Sequence, residues 1–418
     1  MTKIVEMKKY LVVVPLLLFD GIVSAQSIQA PIDHRHPEKG SFDLQYEFGA
    51  PYNPNLPTVM VIADAQQFYV VKGRLKKIQA QLFGDKMNVL GVISRSNVSE
   101  LRQRVINSKD SKVDWLSAYA IFQAFQYVSD IELVRSTVLA GQKEVYLYGQ
   151  SGGAFLITEY LSAFPDSPVK KVFIGASVNP VIEARLGIVH DNFQRDFLAE
   201  NPEISKKLDQ VIAENFFDRK LVARLFQRQN FFVKLADLHD ARLTLTDRLM
   251  DKDTIYINGL KKSYQIDALE ELAKSDFAIP IKVRIFEFIA PLLGSWAVDG
   301  PFRYPDLENS RNTAYPLIEA FEKGGINFSP LFKDKSAGNF KGEVFVLAGR
   351  HDHVADYRSS IYLSALFENN HLFIADDDHT FKSLKSDNNF AQIVQDFFLN
   401  NHDINWIDKY SQYKWREE

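Results

Sequence analysis

The stretch Val145-Tyr146-Leu147-Tyr148-Gly149-Gln150-Ser151-Gly152-Gly153 constrains this chain more than any other. A short apolar run ends in Gly-x-Ser-x-Gly and passes at once into a helical pattern, Ala154 to Phe164. A serine on such a sharp strand-to-helix turn presents its hydroxyl from a strained backbone. The turn packs so tightly that the residues two before and two after the serine must be small. Gly149 and Gly153 meet that need. The N–H of the next residue, Gly152, is then free to stabilise an oxyanion. The competing reading is a glycine-rich turn whose serine only caps a helix. The strand before and the helix after favour a nucleophile elbow.

Such a serine needs a base and an orienting acid, and these follow in the order Ser, Asp or Glu, His. Glu343-Val-Phe-Val-Leu-Ala-Gly349 reads as a buried strand, followed by Arg350-His351-Asp352-His353. Asp352 stands just past the strand end. A helix over 357–367 and a strand from His371 to Ala375 come next, then Asp376-Asp377-Asp378-His379. His379 occupies the loop after the last strand. Of the nine histidines, His351 and His353 flank the acid too closely to be oriented by it. His34 and His36 precede the core strands, His190 and His239 lie in the helical middle, His371 starts a strand and His402 is in the tail. The other acid position, after the strand 171–175, carries Ala176-Ser-Val-Asn179 and no carboxylate. The bland readings are a turn aspartate and a solvated loop histidine. The acidic run 376–378 lacks a second ligand cluster, so no metal site is expected.

Strands alternating with helices indicate an α/β fold with a mostly parallel sheet covered by helices on both faces. Strands are expected over 42–48, 58–63, 87–93, 145–148, 171–175, 343–349 and 371–375. One long helix is expected over 115–139. From about Pro180 the pattern turns into charged helical stretches, so residues 181–341 read as a helical cap. It is inserted between a first core part, 26–180, and a second, 342–400. A tail, 401–418, carries Trp406, Tyr410, Tyr413 and Trp415 and is expected to pack on the surface.

At 418 residues and 46% hydrophobic, with 32 Phe, the chain can bury a large core. A net charge of −4 gives no sign of a nucleic-acid partner or an anionic membrane surface. Lys8 and Lys9 precede an apolar run, Leu11 to Phe19, and Val23-Ser24-Ala25 offers a small-residue cleavage site. Residues 1–25 therefore read as a signal peptide, with Met7 as an alternative start, and the protein as exported to the periplasm or outside the cell. The apolar run is too short to span a bilayer. With no cysteine, disulfides and thiolate metal sites are excluded.

The entry segment Ile28-Gln-Ala-Pro-Ile-Asp-His34 with Pro37 and Gly40-Ser-Phe42 resembles that of secreted serine aminopeptidases of the tripeptidyl aminopeptidase and proline iminopeptidase type. So do Asp130-Ile-Glu-Leu-Val-Arg135, the elbow, Tyr160 with Pro165, Gly349 with Asp352, and Asp378-His379. The resemblance covers most of 28–180 and 340–400. It implies the alpha/beta-hydrolase fold with an inserted cap, and cleavage of short peptides from a free N-terminus. It also implies cap carboxylates that hold the substrate amine. Glu287, in Ile285-Phe-Glu-Phe-Ile-Ala290, is the candidate for that role, against a solvent-facing helix residue.

One departure matters. Relatives carry His-Gly or Gly-Gly-Pro-Gly after the early strand, whereas this chain has Ala63-Asp64-Ala65-Gln66-Gln67. The N–H of Asp64 or Ala65 is expected to complete the oxyanion hole with that of Gly152. An ionised Asp64 there would oppose a developing oxyanion. The expected chemistry is acyl transfer through Ser151, His379 and Asp352 on a small peptide or ester, with no cofactor. A carboxylesterase with the same triad and a hydrolase-fold binding protein without activity are the alternatives.

Overall fold

The computed structural model describes residues 25–67, 70–71, 73–188, 192–294, 302, 304–399 and 406–415. The expected signal segment lies outside the described residues, apart from Ala25. Eight strands form one sheet: β1 Gln26–Pro31, β2 Ser41–Phe48, β3 Thr58–Ile62, β4 Asn88–Val92, β5 Val145–Gln150, β6 Lys171–Gly175, β7 Glu343–Gly349 and β8 Asn370–Ala375. Their order is β1-β2-β4-β3-β5-β6-β7-β8. β1 pairs with β2 and β2 with β4 antiparallel, and every other pairing is parallel. With an elbow after β5, this is the alpha/beta-hydrolase arrangement.

The continuous apolar runs of the central strands follow from burial on both faces. Met60, Ile62, Leu147, Val172, Ile174 and Val346 face one apolar cluster. Their alternates Val59, Val61, Tyr146, Tyr148, Phe173, Phe345 and Leu347 face the other. Helices α1 Trp115–Phe122, α2 Ala124–Val138 and α3 Gly152–Ala163 line the first face. Helix Asn389–Leu399 lines the second with Phe390, Ile393, Val394, Phe397 and Phe398.

Three features differ from the expected pattern. β1 was not anticipated, because Gln26-Ser-Ile-Gln-Ala-Pro31 is a half-exposed edge strand without a clean apolar run. The single helix over 115–139 is broken at Gln123, whose backbone is extended (φ −65°, ψ 157°). The break opens the N-terminus of α2, and the Ala124 N–H donates to both oxygens of the Glu287 carboxylate, at 2.9 and 3.1 Å.

The third difference lies in residues 181–341, which divide into two packing units. Phe197, Leu208, Phe226, Leu245, Ile266 and Phe302 form a separate apolar cluster, to which helices α4 Arg219–Phe232 and α5 Leu235–Met250 contribute along with the helices on either side. Helices α6 Ala278–Ile289 and α7 Pro305–Glu322 instead join the main core through Val283, Phe286, Ile289, Leu317 and Ile318. Among the described residues only the first unit has a core of its own.

The tail covers the β8 edge. Trp406 and Tyr410 are buried in the second cluster. The Trp415 N–H donates to Ile374 O at 2.8 Å and the Asp376 N–H to Tyr413 O at 2.9 Å. Pairing of this kind satisfies an otherwise open sheet edge. Among the described residues no helix is long and apolar enough to cross a membrane.

Candidate active site

Ser151 adopts φ 55° and ψ −122°, a strained conformation for a residue with a side chain. Two close approaches fix it there. A Cβ on Gly149 would meet the Gly153 carbonyl at 2.6 Å, and one on Gly153 would meet Ile62 O at 2.2 Å. Both obstacles are backbone, so neither can swing aside. The elbow at the end of β5 thus packs on the end of β3, where the register pairs Ile62 with Gly149.

The loops after β7 and β8 come together in the same way. A Cβ on Gly349 would lie 2.7 Å from both Asp377 O and Asp378 O. The His351 N–H donates to Asp377 O at 3.1 Å. This contact brings Asp352 against His379. Asp352 Oδ1 accepts the N–H groups of Val354 and Ala355, each at 2.8 Å, so the buried carboxylate is held from behind. His379 Nδ1 lies 2.8 Å from Asp352 Oδ2, and His379 Nε2 lies 2.9 Å from Ser151 Oγ. The three residues, 228 positions apart at the extremes, form one hydrogen-bonded line.

The acidic run beside His379 has structural duties. Asp376 pairs with His351 at 2.9 Å. Asp377 accepts the N–H groups of Asp378, Ser383 and Leu384. Asp378 accepts Thr380 and pairs with Lys382. Among the described residues no group of acids or histidines could hold a metal ion.

Lys382 also donates to the carbonyls of Asn230 and Val233, at 3.0 and 3.1 Å, fastening the end of α4 to the His379 loop. Phe231 meets the His353 ring edge-on at 4.8 Å between centroids, and His353 meets His379 at 5.5 Å. Burial, then the nearby His379, Arg242 and Lys382, push His353 well below the ordinary histidine range, so it is neutral.

The loop after β3 is stapled to the elbow by Gln67. Its Nε2 donates to Gln150 O at 2.7 Å and its Oε1 accepts the Asp64 N–H at 3.0 Å. The Asp64 N–H is thereby engaged, which corrects its expected role in the oxyanion hole. Ala65 is the remaining backbone candidate of the two, and its N–H also faces the Asp64 carboxylate. The Asp64 side chain is fully buried against the elbow: a Cβ on Gly152 would stand 2.7 Å from Asp64 Oδ2 and 2.8 Å from Asp64 Cβ. A residue with a side chain after the serine would exclude an aspartate at 64.

Glu287 is neither solvent-facing nor open to a substrate amine, which corrects both earlier readings. It is buried, caps α2 through Ala124, and pairs with Arg284. Arg284 Nε in turn donates to Asp64 Oδ1 at 2.7 Å. The guanidinium lies over the rings of Tyr127 and Phe155. Burial raises Glu287 to about 7, with Arg284 opposing the shift. Burial, then the neighbouring Glu287, raises Glu159 of α3 to about 8. Burial also raises Asp64, against the pull of Arg284.

Glu159 yields a test of this buried chemistry. A carboxyl whose folded pKa lies above its unfolded value adds stability at low pH and loses it as pH rises through about 8. Glu159→Gln cannot ionise. Between pH 5 and pH 9 the melting temperature of the wild type is expected to fall more than that of the variant. Parallel curves would mean that Glu159 is solvated in solution.

No protein-family model matches the sequence, and none of the curated proteins matches it. Solved structures do. The chain is similar to bromoperoxidase from Bacillus anthracis at 14% identity, over 90% of this chain and 100% of that one, with a TM-score of 0.43. It is similar to homoserine O-acetyltransferase from Staphylococcus aureus at 15% identity, over 94% and 99%, with a TM-score of 0.45. It is similar to an esterase from Exiguobacterium antarcticum at 13% identity, over 86% and 97%, with a TM-score of 0.42.

Proposed function

We propose that this protein is an exported serine hydrolase that works by acyl transfer. The observation that carries the reading is the line Asp352–His379–Ser151, at 2.8 and 2.9 Å, ending on a serine of positive φ. In the proposed reaction Ser151 Oγ attacks the substrate carbonyl carbon while His379 Nε2 takes the hydroxyl proton. Asp352 holds the Nδ1–H and stabilises the imidazolium. The N–H groups of Gly152 and Ala65 receive the oxyanion. The carbonyl then reforms, and the leaving amine or alcohol takes the proton from His379. Water attacks the acyl-enzyme with His379 as base, and Ser151 is released with the acid product. Every step is served by side chains and backbone, so the reaction needs no cofactor.

The substrate class implied by the resemblance to secreted serine aminopeptidases is a short peptide with a free N-terminus. A carboxylesterase is the second reading. It is favoured by Glu287, whose carboxylate is committed to Ala124 and Arg284 and not to an incoming amine.

A fluorophosphonate should add one covalent adduct to the folded protein, at Ser151, and Ser151→Ala should take up none. Intact-mass spectra showing no adduct on the wild type would reject the hydrolase reading and leave a hydrolase-fold binding protein.

A further inference from the structure

Two residues 223 positions apart, Asp64 and Glu287, are joined by one guanidinium. Asp64 carries it on Nε and Glu287 on Nη1, and all three side chains are buried. Asp64 Oδ2 makes no hydrogen bond, and it is this oxygen that lies against Gly152. Burial raises the Asp64 carboxyl, while Arg284 and then the neighbouring Ala65 N–H favour its charged form. The carboxylate thus stands beside both backbone groups assigned to the oxyanion.

A bare carboxylate at that place would repel the negative charge that develops during acyl transfer. Two like charges roughly 5 Å apart at an effective dielectric constant of about 20 slow such a step by on the order of a hundredfold. Among the described residues Arg284 is the cation that bears on Asp64. We propose that Arg284 is a positioning residue for acyl transfer: it cancels the charge of Asp64 beside the oxyanion and holds the Ala65 loop against Gly152. This rests on the serine-hydrolase reading.

Arg284 is also contested. Glu287 shares it from the same helix, and Glu159 of α3 acts on both. Tyr127 of α2 faces the guanidinium, and Tyr119 of α1 faces Glu287. Arg95 and Arg35 act on these tyrosines from further out. Three carboxyl groups around one guanidinium make a neutral site only while two of them keep their protons. Ionisation of Glu287 and Glu159 therefore draws Arg284 away from Asp64 electrostatically.

The test follows kcat against pH on p-nitrophenyl acetate, together with the rate of phosphonylation at Ser151. In Arg284→Met, Asp64 holds a proton at low pH and ionises as pH rises. The kcat should then fall by about thirtyfold or more toward pH 9, with little change in KM. In Arg284→Met/Asp64→Asn that fall should vanish, because the amide cannot ionise. Parallel pH profiles for the single and double variants, or no loss in either, would overturn the proposal. Should Arg284→Met fail to fold, Glu287→Gln decides. It leaves Arg284 to Asp64, and should raise the ratio of kcat at pH 9 to that at pH 7 above the wild-type value. An unchanged ratio would overturn the proposal. Absence of phosphonylation in the wild type would instead remove the hydrolase reading, and this one with it.

Discussion

Asp352→Asn is expected to lower kcat by about four orders of magnitude while leaving the melting temperature close to that of the wild type. The size of the effect follows from what the carboxylate does in acyl transfer. In the proposed reaction it fixes the imidazole tautomer that can accept the serine proton, and it stabilises the imidazolium that results. An amide in its place keeps the shape. Its oxygen can still accept the Val354 and Ala355 N–H groups that hold the loop, so the fold should survive. The amide then presents NH2 to His379 Nδ1, which favours the proton on Nε2, and Nε2 can no longer accept from Ser151. Steady-state rates and thermal unfolding on one preparation separate the two effects. A variant with near wild-type turnover would show that the orienting acid lies elsewhere. Asp378 would be the nearest alternative in the chain, although its carboxylate is already engaged by Thr380 and Lys382.

The parts of the site that were legible in the sequence are those set by short-range sterics. Gly149 and Gly153 had to be small because a Cβ on either would run into backbone at the elbow, at 2.6 and 2.2 Å. Asp352 and His379 were legible for a second local reason. Parallel strands place their following loops on one edge of the sheet, so the residues just after β7 and β8 had to meet there.

What escaped the sequence depends on long-range pairing. Glu287 sits in an apolar helical run, and its neighbours give no sign that Arg284, one turn earlier, reaches Asp64 some 220 positions away. Gln67 reads as a loop amide until its two bonds to the Asp64 N–H and Gln150 O are visible. The break at Gln123 is invisible to helical periodicity, because the side-chain pattern continues across it. The Glu287 carboxylate takes the Ala124 N–H that the break exposes. Likewise the composition of 181–341 is uniformly helical, and only packing shows that α6 and α7 belong to the main core while α4 and α5 belong to a separate unit.

Blocking the substrate N-terminus separates the two substrate readings, and the expected effect is large. If acyl transfer serves an aminopeptidase, a carboxylate of the site must pair with the substrate ammonium away from water. Acetylation removes that ammonium and strands the carboxylate, a loss of about 3–5 kcal/mol, or roughly two to four orders of magnitude in kcat/KM. An esterase has no such partner to lose. It should turn over short-chain esters readily and peptidyl amides, free or acetylated, hardly at all. Equal rates on free and acetylated amides would end the exopeptidase reading. Glu287 enters this test with a definite expectation. Its two oxygens accept Ala124 and its charge is matched by Arg284, inside the core. Glu287→Gln should therefore shift activity on free and acetylated substrates by the same factor and leave their ratio unchanged. A selective loss on free-amine substrates would mean that the carboxylate leaves Ala124 and Arg284 when substrate binds. That result would return Glu287 to the substrate site.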